Sequence, residues 1–92
     1  MYIILVYDIS SNGNGPKRWK KVFGICKRYL THIQKSVFEG EITKAQLMKM
    51  EMEIKEEIND KIDSVIIFKT RNEKWLEKEI WGVDDDPLST FL

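Results

Sequence analysis

Ninety-two residues, forty-two per cent of them hydrophobic and one third charged, make a single domain, 1–92, of ordinary soluble composition. No apolar run approaches a membrane span and no basic region precedes the apolar start. The single cysteine, Cys26, excludes an internal disulfide and fits a reducing cytoplasm. Fifteen bases balance fifteen acids, but seven bases against one acid fall within residues 1–35, so a neutral total hides a basic first third.

The apolar run 2–7 (Tyr-Ile-Ile-Leu-Val-Tyr) predicts a strand buried on both faces. It runs into Asp8, and the polar, glycine-containing stretch 10–15 ends it. A carboxylate at the mouth of a buried strand either caps a turn or carries chemistry at the junction of a rigid sheet and a loop. Pro16 then opens a helix in which Trp19, Val22, Phe23, Cys26 and Leu30 form one apolar face. Lys20, Lys21, Lys27 and Arg28 fall largely outside that stripe. Cys26 lies on it and reads as a small core residue, not a nucleophile.

From 31 to 42 the period changes to two, predicting extended structure bent or bulged near Gly40. Thr43-Lys44-Ala45-Gln46 has the form of a capping box. The second helix should run to about Asn59 with Leu47, Met50, Ile54 and Ile58 inward and Met48 and Met52 flanking. Residues 64–68 predict another buried strand, 79–83 a further one, and Asp84-Asp85-Asp86-Pro87 a turn before an apolar tail, 88–92. Strand, helix, extended pair, helix, strand, strand is the order of an α+β, ferredoxin-like βαββαβ sandwich with an extra C-terminal strand. On so small a domain, that terminal segment predicts strand addition to a partner copy.

Several apparent motifs fail on spacing. Gly13-Asn14-Gly15 lacks the Lys-Ser/Thr of a phosphate loop, and Asp84-Asp85-Asp86 lacks the alternating ligands of a calcium loop. His32 is the only histidine, which leaves no histidine metal cluster within one chain. Asp8 remains. Magnesium often manages with one or two carboxylates plus water and phosphate, and a symmetric dimer brings two copies of Asp8 to its axis. Two carboxylates, a divalent ion and a basic rim suffice for phosphodiester hydrolysis. Lys17, Arg18, Lys20 and Lys21 supply the candidate nucleic-acid-binding rim.

Val6-Tyr7-Asp8-Ile9 and Gln34-Lys35-Ser36-Val37-Phe38-Glu39-Gly40-Glu41, with Asp63-Ser64-Val65 later in the chain, resemble the CRISPR-associated Cas2 family. These are the small proteins of the spacer-adaptation step. The resemblance covers nearly the whole chain. It implies a ferredoxin-like fold and a homodimer with the C-terminal strand exchanged or packed across the partner. It also implies a magnesium-dependent endonuclease, acting on single-stranded RNA or double-stranded DNA, that takes part in spacer acquisition with the Cas integrase. The family's metal-site aspartate carries over to Asp8. Tyr7, Ser36 and Phe38 carry over as candidate catalytic residues lining the dimer cleft, and Lys17 and Arg18 as phosphate contacts. Family members often carry several arginines after the loop, whereas this chain has mostly lysines, which act as point charges without a bidentate fork. A non-catalytic dimeric scaffold that holds DNA for the integrase is the alternative function.

Overall fold

The computed structural model describes residues 1–88. Its elements in chain order are β1 (Tyr2–Asp8), α1 (Gly15–Tyr29), β2 (Thr31–Gln34), β3 (Val37–Glu41), α2 (Lys44–Glu57) and β4 (Ser64–Thr70), followed by a short 3₁₀ turn at Glu73–Trp75. The four strands form one antiparallel sheet in the order β2-β3-β1-β4. The apolar strand that begins the chain therefore sits between two neighbours, and both helices pack on one face. This is the ferredoxin-like α+β sandwich that the order of elements predicts.

Alternation along β1 decides which side chains meet the helices. Ile3, Leu5 and Tyr7 join Val22, Ile25, Cys26, Leu30, Phe38, Ile42, Met50 and Ile54 in the core. Burying each large apolar side chain contributes roughly 1.5–3 kcal/mol. α2 starts where the sequence predicts: the Thr43 side chain accepts from the Gln46 amide, and the Gln46 side chain accepts from the Thr43 amide. α1 begins at Gly15 because only a residue without a β-carbon fits there; a Cβ would stand 2.1 Å from the Ser10 carbonyl oxygen. The β2–β3 turn has no Asn-Gly pair. Lys35 takes the left-handed conformation instead, at φ 42°, and a bulge falls between His32 and Gln34.

Two expectations are corrected. β4 is not buried on both faces: on the side away from the helices Ile66 and Phe68 are 52% and 57% exposed, and beside them Ile4 and Val6 of β1 are half-buried, while Tyr2 and Glu39 on the same side are covered. An apolar run reports how much surface a strand would bury, not whether one chain supplies the cover. Residues 79–83 form no strand, since that segment finds no ladder partner on either sheet edge of its own chain. It instead belongs to a segment that reaches the open face, where Lys78 pairs with Glu39 at 2.6 Å and with Asp86. Met48 and Met52, expected to flank the inward face of α2, are exposed, while Met50 and Ile54 are buried. The apolar tail expected over 88–92 lies, beyond Leu88, outside the described residues. No helix among the described residues is long and apolar enough to cross a membrane.

Candidate functional site

Asp8 is the last residue of β1 and stands opposite Ser64 of β4 in the ladder. Successive strand residues point to opposite faces. Tyr7 enters the core, so Asp8 projects from the open side, and it is exposed. Its neighbours on that face of β1 are Val6 and Ile4. The carboxylate thus sits at the rim of a partly open apolar surface, with Ile4 and Val6 half-buried and Ile66 and Phe68 of β4 exposed beside them.

The loop that follows is anchored from below. Asp63, fully buried at its side chain, accepts the Ser10 amide at 2.9 Å, the Asn59 amide at 2.8 Å and Arg18 Nε at 2.8 Å. Arg18 Nη2 also donates to the carbonyls of Ser10 and Asn12, each at 3.2 Å. Burial pushes the Asp63 carboxyl up, but the bonds from Arg18 and the two amides outweigh it and hold the group below the usual carboxylate range. Arg18 therefore reaches inward to fix the loop that leaves Asp8, with 14% of its side chain exposed. Asp63 entered the sequence reading only as a family match; an acid directly before an apolar strand, one helix away from an inward arginine, is the signal for its role.

The lysines divide by what lies beside them. Lys21 pairs with Glu57 of α2 at 3.3 Å, and Arg28 pairs with Glu53 at 2.6 Å. Lys17 and Lys20 are exposed and make no ion pair among the described residues. They form the open part of the cationic rim next to the loop.

Tyr7, Ser36 and Phe38 gather on the helix side of the sheet, away from the face that carries Asp8. Phe38 is fully buried and stacks on Tyr7 with ring centres 6.1 Å apart. Burial raises the Tyr7 hydroxyl to about 12, with the nearby Cys26 thiol adding to the rise and Ser36 opposing it. That hydroxyl makes no well-formed hydrogen bond among the described residues. Ser36 ties the cluster together: its carbonyl accepts the Tyr7 amide, and its hydroxyl accepts Trp19 Nε1, both at 3.2 Å. The Cys26 thiol is pushed up to about 12 by burial, so it stays protonated, as its place on the apolar stripe predicts.

One chain offers a metal ion little. Among the described residues no three His, Cys, Asp or Glu side chains converge. Asp8 is a hard oxygen donor with room for water and phosphate around it, which suits one half of a magnesium site and leaves the other half to a second copy.

The fold and site define a class: a small ferredoxin-like sandwich with an exposed carboxylate closing its central strand and a lysine-bearing helix beside it. The family model described as CRISPR associated protein Cas2 matches residues 1–78, and the chain belongs to that family. It is 51% identical to the CRISPR-associated endoribonuclease Cas2 of Fusobacterium nucleatum, over all of this chain and 87% of that protein. It is 42% identical to the CRISPR-associated endoribonuclease Cas2 2 of Moorella thermoacetica, over 98% of this chain and all of that one. A crystal structure of a Cas2 protein superposes with a TM-score of 0.82 at 35% identity, covering all of this chain and 98% of that chain.

Proposed function

We propose that this protein hydrolyses phosphodiester bonds as a symmetric homodimer in which two copies of Asp8 flank one divalent cation, magnesium by the chemistry of the donors. The observation that carries this reading is the placement of Asp8 at the rim of a partly open apolar face, one loop away from unpaired lysines. A second copy seated on Ile4, Val6, Ile66 and Phe68 withdraws that face from water and brings its own Asp8 toward the axis. The ion, when bound, supplies a Lewis acid for a phosphoryl oxygen and a water of lowered pKa. Asp8 holds it. Lys17 and Lys20 attract the phosphate backbone, while Lys21 contributes charge partly offset by Glu57. Tyr7, Ser36 and Phe38 act from beneath by fixing the ends of β1 and β3, and Arg18 by fixing the loop.

The relatives' names, endoribonucleases, support RNA as substrate, and membership of the family supports a role in spacer acquisition with the Cas integrase in the cytoplasm. The deciding experiment is cleavage of labelled single-stranded RNA and duplex DNA, with and without magnesium, by the wild type and Asp8→Asn. Metal-dependent cleavage that Asp8→Asn abolishes is the expected result. Cleavage unchanged in the pure variant removes Asp8 from the mechanism. That each chain brings one carboxylate, Asp8, to this site also favours a second reading, a non-catalytic scaffold that holds DNA for the integrase. Spacer insertion that survives Asp8→Asn would make scaffolding the biological role.

A further inference from the structure

We infer that Trp19 is a stacking platform for an unpaired nucleobase, with Lys20 and Lys27 of α1 and Lys35 of the β2–β3 turn arranged to hold the backbone of that single strand. The inference rests on nucleic acid being the ligand, as proposed above, but not on Asp8. It begins with an anomaly. Tryptophan is the largest apolar side chain, yet Trp19 is 37% exposed on a helix whose other apolar residues are mostly buried. It is exposed but not loose. Phe23, one turn on, stacks on the indole with centres 5.2 Å apart and planes 19° apart. Tyr7 meets it edge-on at 5.8 Å, and Ser36 fixes Nε1. A ring already held in place loses little conformational entropy when a base is laid against it.

The surroundings select the ligand. At 3.6 residues per turn, Lys20 and Lys27 lie two turns apart on the flank next to Trp19 and Phe23. Lys27 Nζ stands over the Phe23 ring at 5.7 Å. Lys35, at the tip of the neighbouring hairpin, is exposed, and its carbonyl accepts from His32 Nε2 at 2.8 Å, which ties that turn to the same cluster. His32 in turn packs edge-on against Phe23 at 4.8 Å. None of these three lysines has a carboxylate partner among the described residues, whereas Lys21 and Arg28 on the far flank are paired with α2. One side of α1 is therefore neutralised, and the side bearing the exposed indole is left cationic. Ammonium groups set around a fixed aromatic ring match a nucleotide, whose phosphate and base face need those two features together. A duplex keeps its base faces stacked inside, so this surface favours single strands.

The test measures binding of fluorescently labelled single-stranded RNA, the same strand with abasic positions, and a duplex of equal length. The proteins are the wild type, Trp19→Leu, Trp19→Tyr and Lys20→Gln/Lys27→Gln. Trp19→Leu should weaken binding of the intact strand by roughly tenfold, within the range that loss of one stacked base produces. Trp19→Tyr should keep most of the affinity. Abasic substitution should cost the wild type a similar factor and Trp19→Leu almost nothing. The lysine variant should lower affinity for intact and abasic strands alike and flatten the dependence on salt. Equal affinity of the wild type for intact and abasic strands overturns the inference, and this holds even if Trp19→Leu fails to fold. So does competition by an acidic peptide as effective as RNA. The Asp8→Asn protein separates this inference from the nuclease reading. If it cleaves nothing while the Trp19 effects are absent in the wild type, the platform fails and the nuclease stands. If cleavage ignores Asp8 while the Trp19 effects persist, the converse holds.

Discussion

Removing the Asp63 carboxylate should cost this small domain a large part of its stability. Asp63→Ala leaves Arg18 and the amides of Ser10 and Asn59 without their acceptor, at a position with no side-chain exposure. Breaking a buried pair from one side costs about 3–5 kcal/mol, and the lower end applies here because Arg18 retains some contact with water. At roughly 0.05–0.15 kcal/mol per residue the whole domain has about 5–14 kcal/mol. A loss of about 3 kcal/mol corresponds to a fall in Tm of roughly 12–24 °C for a domain of this size. Thermal and urea melts of Asp63→Ala, Arg18→Ala and the double variant measure it, and the double variant should lose far less than the sum. The pH dependence has a definite sign. The folded carboxyl lies below its unfolded value, so its stabilisation is complete above the ordinary carboxylate range and is lost as pH falls through that range toward the folded value. Asp63→Asn should therefore flatten the acid limb of the stability curve. A drop in Tm below about 4 °C for Asp63→Ala, or additive single variants, would refute the clamp.

Two further outcomes follow from the same geometry. Phe68→Glu, on the open face of β4, should leave the protomer folded but convert a dimer to a monomer by light scattering, with cleavage falling in parallel; an unaffected dimer would place the interface elsewhere. Cys26, whose thiol burial raises to about 12, should remain unreactive toward an aromatic disulfide reagent at pH 8 until denaturant is added. Rapid labelling of the native protein would contradict its place in the core.

How much was legible in the sequence depends on whether the controlling interaction is local. The Thr43–Gln46 box is a contact across three residues, so it reads directly from the chain. The apolar stripe of α1 and the run that became β1 are equally local patterns, and together with the order of elements they specify the ferredoxin-like sandwich. Cys26 inherits its buried, protonated state from that stripe. The alternation of β1 also implied, though it did not announce, that Tyr7 and Asp8 part to opposite faces. Burial was less legible, because hydrophobicity measures the gain from covering a surface and not the presence of a cover. Ile66 and Phe68 are apolar and open, and residues 79–83 carry a strand pattern with no strand to pair.

Tertiary structure alone decided the rest. Arg18 and Lys17 are neighbours with the same charge, yet one clamps Asp63 across forty-five residues while the other stays in water. Lys20 and Lys21 part in the same way, because only Lys21 has a glutamate of α2 within reach. Charge and local propensity are properties of a residue and its near neighbours, and the sequence states them. Which charges meet, and which ring is left half in water among unpaired lysines, are properties of distance in the folded chain.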